Sequence, residues 1–132
     1  MNTNNKKISN DVMVEVVPEY ISPERVQGDS RNFFAYTVTL TNLGQKQVQL
    51  LSRHWIIINA DGIREEVRGD GVVGFTPKLL PGQSFTYTSN CPMDTEWGTM
   101  EGEYTFITDE GVFFQVEIPR FYLVVPTLLS GQ

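Results

Sequence analysis

The sequence predicts an all-β domain, an immunoglobulin-like or fibronectin-III-like two-sheet sandwich of about seven strands. Three observations carry that prediction. Apolar and polar residues alternate with period two along several stretches, Gly, Pro, Asn and Asp signals separate these stretches at intervals of roughly 8–15 residues, and no segment holds a helical period. The chain of 132 residues, 40% hydrophobic and 11% aromatic, suits one globular domain. A domain near this size buries roughly 65–70% of its unfolded surface and needs no metal or disulfide to fold.

In chain order, residues 1–10 read as a flexible polar tail, 11–126 as the sandwich and 127–132 as a C-terminal tail. Val12, Val14 and Val16 begin the first strand, which ends near Pro18. Ile21-Ser22-Pro23-Glu24 reads as a turn, and Arg25 to Asn32 as a loop carrying Gly28 and Asp29. From Phe33 to Asn42 the residues Phe34, Tyr36, Val38 and Leu40 point one way and Thr37, Thr39 and Thr41 the other, so one face is core and the other wet. Asn42-Leu43-Gly44-Gln45 turns into a long strand from Val48 to Asn59, and Asn59-Ala60-Asp61-Gly62 matches a hairpin connection. Arg64 to Arg68 is a short strand. Gly69 to Gly74 and Thr76-Pro77-Lys78-Leu79-Leu80-Pro81-Gly82 form loops, and strands follow at Ser84–Ser89, Thr99–Thr108 and Val112–Val124, the last two joined by Asp109-Glu110-Gly111.

Charge and cysteine content exclude several function classes. A net charge of -6, with Lys6-Lys7 as the longest basic run, opposes nucleic-acid binding, which needs clustered cations to displace counterions from phosphates. No run approaches the ~18 apolar residues of a membrane helix, and the polar start is not followed by a signal-length apolar stretch. The lone Cys91 offers no disulfide partner and no CxxC zinc pattern, so a cytoplasmic setting is expected.

Four segments could carry chemistry. Gly69-Asp70-Gly71-Val72-Val73-Gly74 is a formal GxGxxG, but Pro77, Pro81 and Gly82 interrupt the helix that would hold a dinucleotide pyrophosphate. A reduced form of that reading is an anion loop of Arg68, Gly69, Gly71 and Gly74, with Arg64 nearby; otherwise the glycines serve backbone geometry. His54 lies between Arg53 and Trp55, on the opposite strand face from both, with no serine or cysteine motif to activate. Glu101 and Glu103 share a face near Asp94 and Glu96, an oxygen-rich set without an ordered ligand pattern for a hard cation such as Mg²⁺. Cys91 has no basic neighbour in sequence to lower its thiol pKa.

The blocks Ser52-Arg53-His54-Trp55-Ile56-Ile57, Glu66 to Gly74, Leu80 to Ser89 and Gly98 to Tyr104 together resemble the ApaG family over about residues 10–125. The resemblance implies the same sandwich. It also implies a family-level association with cobalt resistance and magnesium efflux, and reuse of the domain in F-box and DNA polymerase-interacting proteins. The functional expectation is a non-enzymatic protein-interaction module with no cofactor and no bound metal, whose partner is an unidentified protein. The alternative is a sensor for pyrophosphate, a nucleotide or a divalent cation at Gly69–Gly74. Trp97 and the apolar stretch from Tyr122 to Leu129 are further candidates for contact surface.

Overall fold

Period-two alternation commits most of the chain to strands, and hydrogen bonding collects them into two antiparallel sheets. The computed structural model describes residues 5–21 and 30–130. They form β1 (Lys6–Ser9), β2 (Val12–Ile21), β3 (Asn32–Asn42), β4 (Val48–Asn59), β5 (Arg64–Asp70), β6 (Lys78–Leu79), β7 (Ser84–Met93), β8 (Trp97–Thr108), β9 (Phe113–Val124) and a short helix, α1 (Pro126–Ser130). One sheet has the order β1-β2-β3-β7 and the other β5-β4-β8-β9, with β6 also paired to β4.

All seven expected strands are present, as β2, β3, β4, β5, β7, β8 and β9. The polar stretch expected as a tail instead contributes β1, in register from Lys6 opposite Glu15 to Ser9 opposite Val12. None of its side chains is buried, so backbone pairing rather than hydrophobic patterning forms it and period-two analysis misses it. The turn into β2 uses Asn10 and Asp11 at positive φ, 49° and 64°, a conformation these two residue types tolerate. The end of the chain carries the single turn of α1 where a tail is expected. The expected turn at Ser22-Pro23-Glu24 and the loop from Arg25 to Asp29 lie outside the described residues.

Inward-facing side chains of both sheets form one core, with Phe34, Leu40, Leu50, Met100, Tyr104, Phe106, Phe121 and Leu123 fully buried. At its centre Trp55 meets Tyr36, Phe121 and Tyr104 with ring centroids 5.2, 5.9 and 6.4 Å away. The Tyr87 and Tyr104 hydroxyls pair at 2.5 Å, which satisfies both inside the core, and burial pushes both phenols well above their ordinary pKa. Asn42, the one buried polar residue among those described, spends its amide on the carbonyls of Lys46 and Leu79 and accepts a bond from the Gly44 amide.

The two sides of the sandwich differ. On one, β1 lies against β9: Asn10 donates to the Gln115 carbonyl, the Glu117 amide donates to Ser9 Oγ, and Lys7 pairs with Glu117. On the other, β5 and β7 are the terminal strands of their sheets and leave an opening between them.

Candidate functional site

The opening between β5 and β7 is built around Arg53. Alternation along β4 turns Arg53 and Trp55 inward and His54 outward, as the sequence predicts. Arg53 pairs across the strands with Gly69, and a Cβ built on Gly69 would lie 2.7 Å from Nη2 of Arg53. A side chain at this position would displace the guanidinium from its present place. Nη1 of Arg53 donates at 2.8 Å to the carbonyls of both Asp70 and Gly71.

The GxGxxG segment thus turns two carbonyl oxygens toward a cation of its own chain. Two of its amides are occupied as well: Gly71 donates to the Leu51 carbonyl at 2.8 Å, and Val72 and Phe75 exchange bonds at 2.8 and 2.9 Å. Gly71 sits at φ +62°, and a Cβ there would approach the Phe75 carbonyl oxygen to 2.4 Å, so two constraints demand glycine. Gly69 lies in β5, Gly74 has open space at φ +87°, and Arg68 lies on β5 with Nη2 3.5 Å from Glu66. The structure places the four expected anion-loop residues near one another but aims the central backbone at Arg53.

Beside Arg53 a cleft of about 260 Å³ reaches between the two edges to Tyr36, Trp55 and Met100, with Ser89 and Cys91 on the β7 wall and Glu65 on the β5 wall. A second chamber of about 150 Å³, lined by Ile57, Ile63, Glu65, Pro92 and Asp94, continues it. Cys91 is buried, and its thiol is pushed up to about 11 by that burial and then by the charge of Glu65, so it stays protonated at neutral pH.

The two rims are chemically opposite. β5 reads Arg-Glu-Glu-Val-Arg-Gly-Asp, five charges in seven residues, and such edges resist pairing with another strand. β7 reads Ser-Phe-Thr-Tyr-Thr-Ser-Asn-Cys-Pro-Met, ten residues without a charge. Its outward hydroxyls are already bonded to β3, Thr88 to Thr37 at 2.8 Å, Thr86 to Thr39 at 3.0 Å and Ser84 to Thr41 at 2.7 Å. What remains unmatched on β7 is the backbone of its free edge, which pairs with no further strand among the described residues.

Of the other candidates, His54, Glu101 and Glu103 line one open depression on the outer face of the second sheet with Lys7, Glu117 and Arg120. His54 lies on the outer face of the second sheet with Nε2 2.8 Å from Glu66 and Nδ1 3.9 Å from Glu103. Hydrogen bonds from Arg64 and then His54 hold the Glu66 carboxyl down at about 2. Arg120 pairs with Glu101 at 2.6 Å, while Asp94 lines the second chamber, apart from Glu101 and Glu103. Among the described residues no group of His, Cys, Asp and Glu could hold a metal ion. Trp97 and Tyr122 stay 41% and 55% exposed, with Tyr122 in a cross-strand row with Thr99 and Ile58. No helix among the described residues is long and apolar enough to cross a membrane.

Sequence reasoning misses the cleft and the edge. The charge-free run of β7 is visible in the sequence, whereas its position at the end of a sheet is not.

Comparison with known proteins places this architecture. The ApaG domain profile matches residues 23–108, through the end of β8. Protein ApaG of Methylobacterium sp. strain 4-46 is 52% identical over 115 residues, 87% of this chain and 88% of that protein. Protein ApaG of Bdellovibrio bacteriovorus is 46% identical over 119 residues, covering 90% and 94%. Among solved structures, the putative ApaA protein from Bordetella pertussis superposes with a TM-score of 0.82 at 44% identity, covering 88% of this chain and 94% of that one. The X-ray structure of a structural-genomics target gives 0.85 at 40% identity, covering 96% and 95%.

Proposed function

The chain belongs to the ApaG domain family, and from that premise we propose that it is a non-enzymatic, cytoplasmic interaction module that docks an extended segment of another protein along the free edge of β7. The observation that carries this reading is the contrast between edges: β5 is crowded with charge, β1 and β9 lie against each other, and among the described residues β7 alone is long, uncharged and open. Strand addition supplies affinity through main-chain bonds, and a pocket beside the edge supplies selectivity. The cleft next to β7 stands where alternate side chains of an added strand would enter. A link to cobalt resistance and magnesium efflux would then be indirect, through the docked protein.

The test is a capture experiment with the wild-type chain and the double variant Thr86→Lys, Thr88→Lys, which puts two charges beside the edge. The expected result is a stoichiometric partner whose affinity falls at least tenfold in the variant, with β7 amides protected from exchange in the complex. A partner held equally well by both proteins, or no partner at all, overturns the reading.

The sensor reading keeps Arg68, Gly69, Gly71 and Gly74 as a site for a phosphate-bearing anion, or for a divalent cation. Arg68 supports it, since its side chain is 71% exposed beside the loop. Against it, the Gly71 and Val72 amides already donate to carbonyls. We expect an amide titration with pyrophosphate, with and without Mg²⁺, to leave Arg68 to Gly74 unmoved; saturable shifts there would restore the anion loop.

A further inference from the structure

Arg53 is the one arginine among those described that is not exposed. Arg64, Arg68 and Arg120, all exposed, lie 2.8, 3.5 and 2.6 Å from carboxylates. Arg53 has none within 4.0 Å among the described residues, and its only hydrogen bonds there run from Nη1 to two carbonyls. A guanidinium has five N–H donors. The three on Nε and Nη2 are therefore left over, and no side-chain nitrogen or oxygen among the described residues is both buried and unpartnered, so these donors remain accessible.

A half-buried cation without a counterion favours an incoming anion, and a planar guanidinium suits a carboxylate best because both can bond through two parallel contacts. Nη1 is pinned by the Asp70 and Gly71 carbonyls, so the fork is oriented before any ligand arrives. The chamber it lines, about 260 Å³, has room for a side chain. Tyr36 and Ser89 add hydroxyls on its wall, and Trp55 and Met100 form an apolar floor that lowers the local dielectric.

Resting on the reading of β7 as a docking edge, we propose that the docked segment presents an acidic side chain, Asp or Glu, into this chamber to pair with Arg53. The segment would be extended and alternating, with its acid at an inward position beside Ser89 and Cys91, and uncharged elsewhere along β7. Exposed Glu65 and exposed Arg31 are the other charges that line the chamber.

The experiment uses labelled decapeptides of alternating Thr and Val whose central inward residue is Glu, Gln or Lys, titrated against the full chain by fluorescence anisotropy. Free glutarate is titrated in parallel while the Arg53 Nε–H resonance is followed. We expect the Glu peptide to bind at least tenfold more tightly than the Gln peptide, the Lys peptide to be weakest, and Arg53→Gln to abolish the order. Equal binding of the Glu and Gln peptides by the wild-type chain overturns the acid assignment and leaves the β7 edge standing, and this comparison holds even if Arg53→Gln fails to fold. No binding by any peptide overturns the β7 reading and this one with it; a saturable Arg53 shift with glutarate would then assign the chamber to a free carboxylate.

Discussion

Gly102→Ala is expected to lower folding stability by at least about 3 kcal/mol, the upper range for overpacking a well-filled site. Gly102 pairs with Trp55 across β4 and β8, and an added Cβ would fall 2.0 Å from the His54 carbonyl oxygen, 3.0 Å from the His54 carbonyl carbon and 3.1 Å from the Trp55 Cα. All three are backbone atoms of the central strand pair, so no side chain can rotate away. The β8–β9 register shifts between Met100 and Gly102, which fixes the position from the other side. The backbone there is not left-handed, so the cost is steric rather than conformational; at Gly74, with open space but φ +87°, the reverse holds. Urea denaturation should show a lower midpoint at unchanged slope, and heating a melting temperature lower by roughly 10 °C. A loss below about 1 kcal/mol would mean that β4 and β8 do not approach so closely.

Trp55→Ala should cost about 3–5 kcal/mol, the range for truncating a buried aromatic residue. Trp55 is 3% exposed and joins rings from both sheets, Tyr36 from one and Tyr104 and Phe121 from its own. Its removal takes away the hub of that cluster and opens the floor of the Arg53 chamber into the core. Against the 5–15 kcal/mol that hold a typical domain, the variant should be only marginally folded at room temperature. Trp55→Phe, which keeps an edge-on ring, should recover most of the loss, and equal destabilisation by both substitutions would show that the contacts to the three rings are not what Trp55 supplies.

Much of this domain was legible in its residues because strand formation is declared locally. Alternation in Phe33–Asn42 matches the buried and half-buried pattern of β3 position by position, and Asn59-Ala60-Asp61-Gly62 makes the β4–β5 turn, with Gly62 at φ +81°. The exceptions have a common cause. Lys6-Lys7-Ile8-Ser9 and Lys78-Leu79 become strands because a partner strand offers backbone groups to them, and two or four residues carry no period that could announce it.

The candidate site was less legible. Gly69, Gly71 and Gly74 form a visible motif, and the interruption after them argues against a dinucleotide site, but nothing near them in sequence points to Arg53, which donates to the Asp70 and Gly71 carbonyls. Gly102 carried no motif, and its steric role rests on a backbone nearly fifty positions earlier. The fold class, the seven principal strands and the family are all readable from the residues, since these depend on periodicity, turn chemistry and block similarity along the chain. The place of Arg53 at a cleft with no carboxylate within 4.0 Å among the described residues, and the position of β7 at the end of its sheet, come from the tertiary structure alone. Both depend on which strands end up last in their sheets, a property of long-range pairing that no local run of residues encodes.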